Sequence, residues 1–382
     1  LGLWLLVCGI TLFIFPALSA AAPDKPVIAA GGYHTLAIQK DGTLWAWGEN
    51  GYAQLGLGDA TDRLTPTRVS SSTDWTAVAA GEYHGLGIQT LGSLWAWGYN
   101  NYGQLGMGDN IGRHTPTQVG SATNWVAVAG GGWHSLGLQA DGSLWTWGDN
   151  GLGQLGLGDK IERDSPTRVG SATKWVAVIA GNFHSLGLQA DGSLWAWGYN
   201  SNGQLGLGDA NDRLSPTQVG SATNWVAVTA GDFHSLGLQA DGSLWAWGYN
   251  GYGQLGLGDA TDRLTPTRVG SATDWVTVAA AMGPHTLGIK ANSFIYAWGD
   301  NEYGQLGVGN TTNRTTPTLV GAGLAAVAAG RCHSLGIQAK GSLWAWGYNV
   351  YGQLGLGDTT NRLRPTQIKT FNAPRAVVIP LN

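Results

Sequence analysis

The chain has 382 residues, of which 12% are charged, with a formal net charge of −4, 62 glycines, 20 tryptophans and two cysteines, Cys8 and Cys332. So little positive charge, none of it clustered, excludes a broad phosphate-binding surface and with it nucleic acid as an expected partner. Cys8 lies in an apolar start expected to be cleaved, which leaves Cys332 alone, so no internal disulfide framework is expected and the fold must be held by packing.

In chain order, the first feature is the uncharged apolar run LWLLVCGITLFIFPAL at residues 3–18, followed by Ser19-Ala20-Ala21-Ala22. Residues 1–22 read as a signal peptide or membrane-targeting segment, cleaved near Ala21. Pro16 and the small residues close the run short of the ~20 residues a spanning helix needs. The expected location is extracellular or periplasmic (secreted), with membrane contact only through residues 1–22 if they stay uncleaved. Residues 23–382 form the second unit.

That unit is a sevenfold repeat. A His-Ser-Leu-Gly-Leu-like segment, an Asp-Gly turn, Leu-Trp-Ala-Trp-Gly and Gln-Leu-Gly return at close to fifty-residue intervals, anchored on His34, His84, His134, His184, His234, His285 and His333. Repeat five shows the elements. Val226-Ala227-Val228 is a first strand and His234–Gln239 a second, with Leu236 and Leu238 on one face. Asp241-Gly242 is a type I′ hairpin turn. Ser243–Trp247 is a third strand, with Trp245 and Trp247 opposite Leu244 and Ala246, and a Gly-rich loop from Tyr249 to Arg263 leads to a fourth strand at Pro266–Val269. Four short strands per period and no helical periodicity predict an all-β fold, a seven-bladed β-propeller with four antiparallel strands per blade. The recurrent tryptophans are expected between blades. Repeat six should be the least regular: Met282-Gly283-Pro284 adds a residue, Asn292-Ser293 replaces Asp-Gly and Tyr296 replaces the first Trp. Because Pro26 shortens the first copy of strand one and Arg375-Ala376-Val377 resembles an eighth, the two chain ends are expected to meet in one blade.

The Gly-x-x-His-Ser/Thr-Leu strand, the Asp-Gly turn, Trp-Gly-x-Asn and Gly-Gln-Leu-Gly together resemble the regulator of chromosome condensation repeat family over roughly residues 27–370, and the secreted bacterial type most in general character. The resemblance implies a seven-bladed propeller. It does not carry one function, because the family includes an exchange factor for the GTPase Ran, a plant ultraviolet-B sensor and a secreted β-lactamase inhibitory protein. An apolar segment stands here where the exchange factor has a basic tail. Of the sensor's Gly-Trp-Arg-His-Thr signature only Gly132-Trp133-His134-Ser135 remains, without its Arg.

No cofactor, metal or catalytic set is expected. The seven histidines sit on separate blades, too far apart to share a zinc ion, and are expected to hydrogen-bond a neighbouring loop or blade. Cys332 and His333 are adjacent strand residues pointing to opposite faces, which rules against a nucleophile–base pair. The recurrent Asp59/Arg63-type pairs read as ion pairs pinning each long loop, within it or between blades, because Asn310 replaces one Asp while Arg314 stays. Asp59 and Asp62 have weak calcium spacing, which Gly112, Glu162 and Asn361 break in other copies. The Gly-x-Gly of Gln-Leu-Gly-Leu-Gly lacks the Lys and following helix of a phosphate loop.

The loops joining strands one and two and strands three and four emerge on the same face of an up-and-down blade, and variation and aromatics concentrate there. The candidate partner-binding residues are Tyr52, Glu82, Tyr83, Tyr99, Tyr102, Trp133, Phe183, Tyr199, Asp232, Phe233, Tyr249, Tyr252, Tyr303, Arg331, Tyr348 and Tyr351. Such residues on rigid loops suit a binding surface, although aromatics in Gly-rich loops also pack their own loops. The leading reading is an exported, noncatalytic protein-interaction module. The alternatives are a guanine-nucleotide exchange factor or regulator like the family founder, and a carbohydrate-binding propeller.

Overall fold

The structure, a computed structural model, describes residues 27–372. Residues 1–22 and the Arg375–Val377 segment lie outside the described residues. The described chain contains seven four-stranded antiparallel sheets and no helix, each sheet built from four consecutive strands in sequence order. The blades span residues 27–68, 75–118, 125–168, 175–218, 225–268, 275–322 and 324–372.

In blade five the strands are Trp225–Ala230, His234–Gln239, Leu244–Gly248 and Arg263–Arg268. The fourth begins three residues before the expected Pro266, because a register shift between Ala246 and Gly248 lets Gly248 pair with Arg263. Pro266 is tolerated because this is the outer edge strand, where a missing N–H breaks no ladder. The Asp-Gly turn also differs from expectation. A type I′ turn needs positive φ at both central residues, but only Gly242 (φ 77°) is left-handed. Gln239 N–H donates to Ser243 O at 3.1 Å and Gly242 N–H to Gln239 O at 2.9 Å, closing a three-residue loop. Asp241 is needed for its side chain: Oδ1 accepts from Ser243 N at 2.9 Å and Oγ at 2.6 Å, and Trp245 Nε1 donates to Ser243 Oγ at 3.0 Å.

The core is divided among the seven seams. Between blades four and five, Leu186, Leu188 and Leu194 meet Trp225 and Trp247, with the two indoles edge-to-face at 5.9 Å. The glycine of His-Ser-Leu-Gly-Leu makes room for the ring, since a Cβ on Gly237 would lie 2.6 Å from Trp225. The first indole of each Trp-Ala-Trp is only half-buried, whereas the second is fully buried in all seven blades.

Polar bonds fasten the same seams. Trp147 Nε1 and Ser135 Oγ both donate to the Gln104 carbonyl, each at 2.9 Å, and His84 Nε2 lies 3.0 Å from Ser135 Oγ. The hydroxyl hydrogen is committed to Gln104, so His84 must donate, which sets the Nε2–H tautomer. Equivalent His–hydroxyl pairs follow at His134–Ser185, His184–Ser235, His234–Thr286, His285–Ser334 and His333–Thr35. The recurrent histidine therefore joins its blade to the next. His34 is the exception: Gly85 stands where the hydroxyl would be, and both ring nitrogens of His34 are buried without a partner.

Blade one supplies its own inner strand, Val27–Ala30, paired with His34–Ile38. Its first copy lacks the seam tryptophan, with Lys25 at that position. Phe371, at the end of blade seven, fills the space, with its ring 6.1 Å from Trp45 and 5.7 Å from Trp47. Ala37 accordingly replaces the glycine of other copies. Blades seven and one thus meet through side-chain packing, while the segment expected to join the two ends in one blade lies outside the described residues. Blade six is irregular as expected: Ser293 takes the left-handed turn position (φ 62°), and the fourth strand is lengthened to Arg314–Ala322.

Phe371→Ala should open the closing seam and cost about 3–5 kcal/mol, the usual range for emptying a buried aromatic site. A lowered urea midpoint would report this, and an unchanged midpoint would show that closure does not depend on Phe371.

Burial lowers the pKa of each seam histidine to about 3 from 6.5. The unfolded chain takes up these protons below pH 6.5 and the folded chain only near pH 3. Their contribution to stability is therefore complete above pH 6.5 and is lost as pH falls, by about 1.4 kcal/mol per histidine per unit. Urea midpoints should fall steeply between pH 6.5 and 4.5; a flat profile would mean that the imidazoles are not held neutral.

Candidate functional site

Each long loop is built around one buried asparagine. In blade five, Asn250 Nδ2 donates to Asp259 O and Oδ1 at 3.0 and 3.1 Å, and Asn250 Oδ1 accepts from Leu255 N at 3.0 Å. Asp259 Oδ2 meets Arg263 Nη2 at 2.6 Å, so the pair lies within one loop and not between blades. In blade six Asn310 Oδ1 accepts from Arg314 at 3.2 Å, keeping the contact without the charge. Asp62 is likewise occupied, accepting from Asn50 N at 2.8 Å, so the Asp59/Asp62 carboxylates serve their loop. No group of three or more potential metal-ligating side chains converges among the described residues.

The two variable loops of each blade meet on one face, as in the bond from Tyr99 N to Tyr83 O at 3.0 Å. Around the axis, the first loops are joined by backbone bonds: Gly32 N to Glu82 O, Glu82 N to Gly131 O, Gly132 N to Asn182 O and Asn182 N to Gly231 O, all at 3.1–3.3 Å. Arg331 N closes onto Gly31 and Gly32 carbonyls at 3.3 and 3.2 Å. The glycines are needed for this approach, since a Cβ on Gly32 would lie 2.8 Å from Glu82 O.

The candidate aromatics fall into three groups. The largest runs from blade one to blade five: Tyr52 packs on Tyr83 and Tyr99, Tyr99 on Tyr102, Tyr102 on Trp133 (5.3 Å, stacked), Trp133 on Phe183, and Phe183 on both Tyr199 and Phe233 (5.4 Å, stacked). Tyr303, Tyr348 and Tyr351 continue to Tyr33 across the closing seam. Tyr249 and Tyr252 pair on blade five. Most of these rings are half-buried against one another; Tyr52 and Tyr252 are the most exposed, at 49% and 43%.

The candidate charges lie inside the aromatic ring of loops. Arg331 pairs with Glu82, and Asn182 Nδ2 donates to Asp232 Oδ1 at 2.8 Å. Burial raises the Glu82 and Asp232 carboxyls, with Arg331 opposing the shift. Glu49, which sequence reasoning did not single out, is raised to about 7 by burial and by Asp62 and Glu82. Its place at a position held elsewhere by Tyr or Asp was the available signal. Burial also pushes the Cys332 thiol up to about 12, while His333 is bound to Thr35. These neighbours in sequence do not converge.

A cavity of about 410 Å³ opens over the loops of blade five, lined by Asp232, Phe233, Tyr249, Tyr252 and Gln254 of that blade, with Asn202 of blade four on one side and Pro284 of blade six on the other. Sequence comparison among the copies passed over Gln254 because every copy carries that glutamine.

The fold and its loops define a seven-bladed β-propeller of seven near-identical repeats with one variable face. The regulator of chromosome condensation (RCC1) repeat matches seven stretches, 41–88, 92–138, 141–188, 191–238, 241–287, 294–337 and 340–379, and the chain belongs to this family. Each stretch runs from the region of one blade's hairpin turn or third strand into the following segment, so most of them cross a seam. The chain is similar to yeast RCC1 (Prp20), solved bound to Kap60 (TM-score 0.77, 23% identity, 85% of this chain and 83% of that one). Prp20p from Saccharomyces cerevisiae, described with its binding properties to Gsp1p and histones, gives TM-score 0.77 and 23% identity over 85% of both chains. Human WBSCR16 gives TM-score 0.76 and 25% identity over 86% of this chain and 94% of that one. Ras guanine nucleotide exchange factor C of Dictyostelium discoideum is 52% identical over 42 residues, which is 11% of this chain and 3% of that protein.

Proposed function

We propose that this propeller is an exported, noncatalytic protein-interaction module that binds its partner through the aromatic face. The observation that carries the reading is the run of packed rings from Tyr52 to Phe233 on loops stapled together by backbone bonds. Such a surface needs little ordering on binding and presents residue types that dominate interface energetics. The similar yeast propeller was solved bound to a protein, which supports a protein partner. A noncatalytic role is supported by the seam histidines, which are buried and neutral, and by a thiol that burial keeps protonated. The apolar run at residues 3–18 supports export.

A pull-down with the propeller supplies the partner. Trp133→Ala and Phe233→Ala should each weaken binding by about 2 kcal/mol or more, while Ser221→Ala on the opposite face should be silent. Equal affinity of all three folded variants would place the site elsewhere. Accelerated nucleotide release from a GTPase partner would favour the exchange-factor alternative.

For export, N-terminal sequencing of the secreted or periplasmic fraction of the native protein should find a start near Ala22. Recovery only from the cytosol, with residues 1–20 intact, would overturn that part of the reading.

A further inference from the structure

Across three seams, a second-loop aromatic of one blade packs on the first-loop aromatic of the next: Tyr52 on Tyr83 at 5.0 Å, Tyr102 on Trp133 at 5.3 Å and Tyr351 on Tyr33 at 5.4 Å. In blade five the corresponding ring is Tyr252, and its partner position in blade six is Pro284. No aromatic side chain of blade six reaches Tyr252, which remains 43% exposed beside the cavity. The backbone staple is also missing here: no bond from Asp232 N to blade six occurs among the described residues. The inserted Met282-Gly283-Pro284 segment thus leaves a gap where three other seams hold a second ring.

The polar lining of this gap combines the recurrent glutamine with Asp232, which occurs once at its repeat position. Gln254 is 1% exposed, and its Oε1 accepts from Tyr252 N at 3.0 Å. Its amide nitrogen has no partner among the described residues, as at Gln54, Gln104, Gln204 and Gln353, but unlike those four it is not fully buried; Gln154 and Gln305 each donate to an aspartate (Asp149, Asp300) at 2.7 Å. Tyr249 occupies the position of those aspartates. Asp232 uses Oδ1 for Asn182, and no hydrogen bond reaches its Oδ2 among the described residues.

We propose that the blade five–six gap is a binding site for one or two rings of a neutral saccharide. The sugar's apolar C–H face lies on Tyr252 in place of the missing aromatic, and its hydroxyls accept from Gln254 Nε2 and donate to Asp232 Oδ2. A hydroxyl is both donor and acceptor and so satisfies both groups, whereas a cation would use Asp232 and leave the glutamine amide unpaired. A cavity of about 410 Å³ is within the range of small-ligand sites. The site shares Phe233 with the aromatic face but not Trp133, so loss of partner binding in Trp133→Ala with saccharide binding intact, or the reverse in Gln254→Glu, lets either proposal fail alone.

The test is saturation-transfer NMR on the propeller with glucose, galactose, N-acetylglucosamine, cellobiose, maltose and lactose. At least one should receive transfer on the C–H protons of one ring face. Tyr252→Ala and Gln254→Glu, the latter keeping the Oε1 acceptor, should weaken that binding at least tenfold. Tyr52→Ala, the equivalent change on blade one, should leave it unaltered. Absence of transfer to every sugar, or transfer that survives both variants, would overturn the proposal. So would arginine methyl ester binding in the gap and losing affinity with Asp232→Asn, which would make it a cation site.

Discussion

The structure depends on one buried acceptor, the main-chain carbonyl of each Gln-Leu-Gly glutamine. At every seam it receives the indole N–H of the next blade's second tryptophan, and at six of seven also a hydroxyl. A carbonyl has two lone pairs, and here both are used in a dry environment where leaving either polar partner unpaired is costly. The bond directions fix how one blade is rotated on the next, and the indoles supply the apolar area that holds the blades together. Glycine follows from the same constraint: a Cβ on Gly148 would lie 3.2 Å from the Gln104 Cα and 2.5 Å from the Trp133 carbonyl oxygen.

Departures from the seam pattern come in compensating sets. Where blade one lacks its strand-one tryptophan, Ala37 replaces glycine and Phe371 enters from the far end of the chain. Where Gly85 removes the hydroxyl, Trp97 stands over that residue, so close that a Cβ there would lie 2.3 Å from the indole. His34 remains without its partner, neutral through burial. The loop ion pairs tolerate more. Half-exposed pairs of this type contribute little each, and Asn310 keeps the same geometry with a neutral oxygen.

Blade number, strand order and the core role of the tryptophans were legible because they rest on periodicity, which survives without knowledge of any contact. The histidines were legible as structural, but not their hydroxyl partners, which lie about fifty residues away and become neighbours only when blades stack. Arg263 was read as the end of a loop because Pro266 masked the strand start. Phe371 lies outside the repeat frame and has no counterpart to be compared with. The aromatic face could be listed from sequence, but its division into three groups could not, since that depends on which rings meet across seams. The gap at blade six was the least legible feature: the insertion was visible, but a cavity is a property of what the neighbouring blade fails to fill.

A scaffold of near-identical repeats has near-sevenfold symmetry, and a symmetric surface offers the same contact seven times. Specific recognition requires positions that differ between blades. Here the seam bonds use main-chain carbonyls, buried hydroxyls and indoles at recurrent positions, so the variable side chains of the same loops can change without disturbing the seams. Arg331 and Glu82 illustrate this: each occurs once at its repeat position, they pair across blade one, and both hang from loops held by backbone bonds. Asp232 and Pro284, each likewise found once at its repeat position, line one cavity. The same rigidity that repeats the fold seven times therefore permits unrelated chemistry on different sectors of one face.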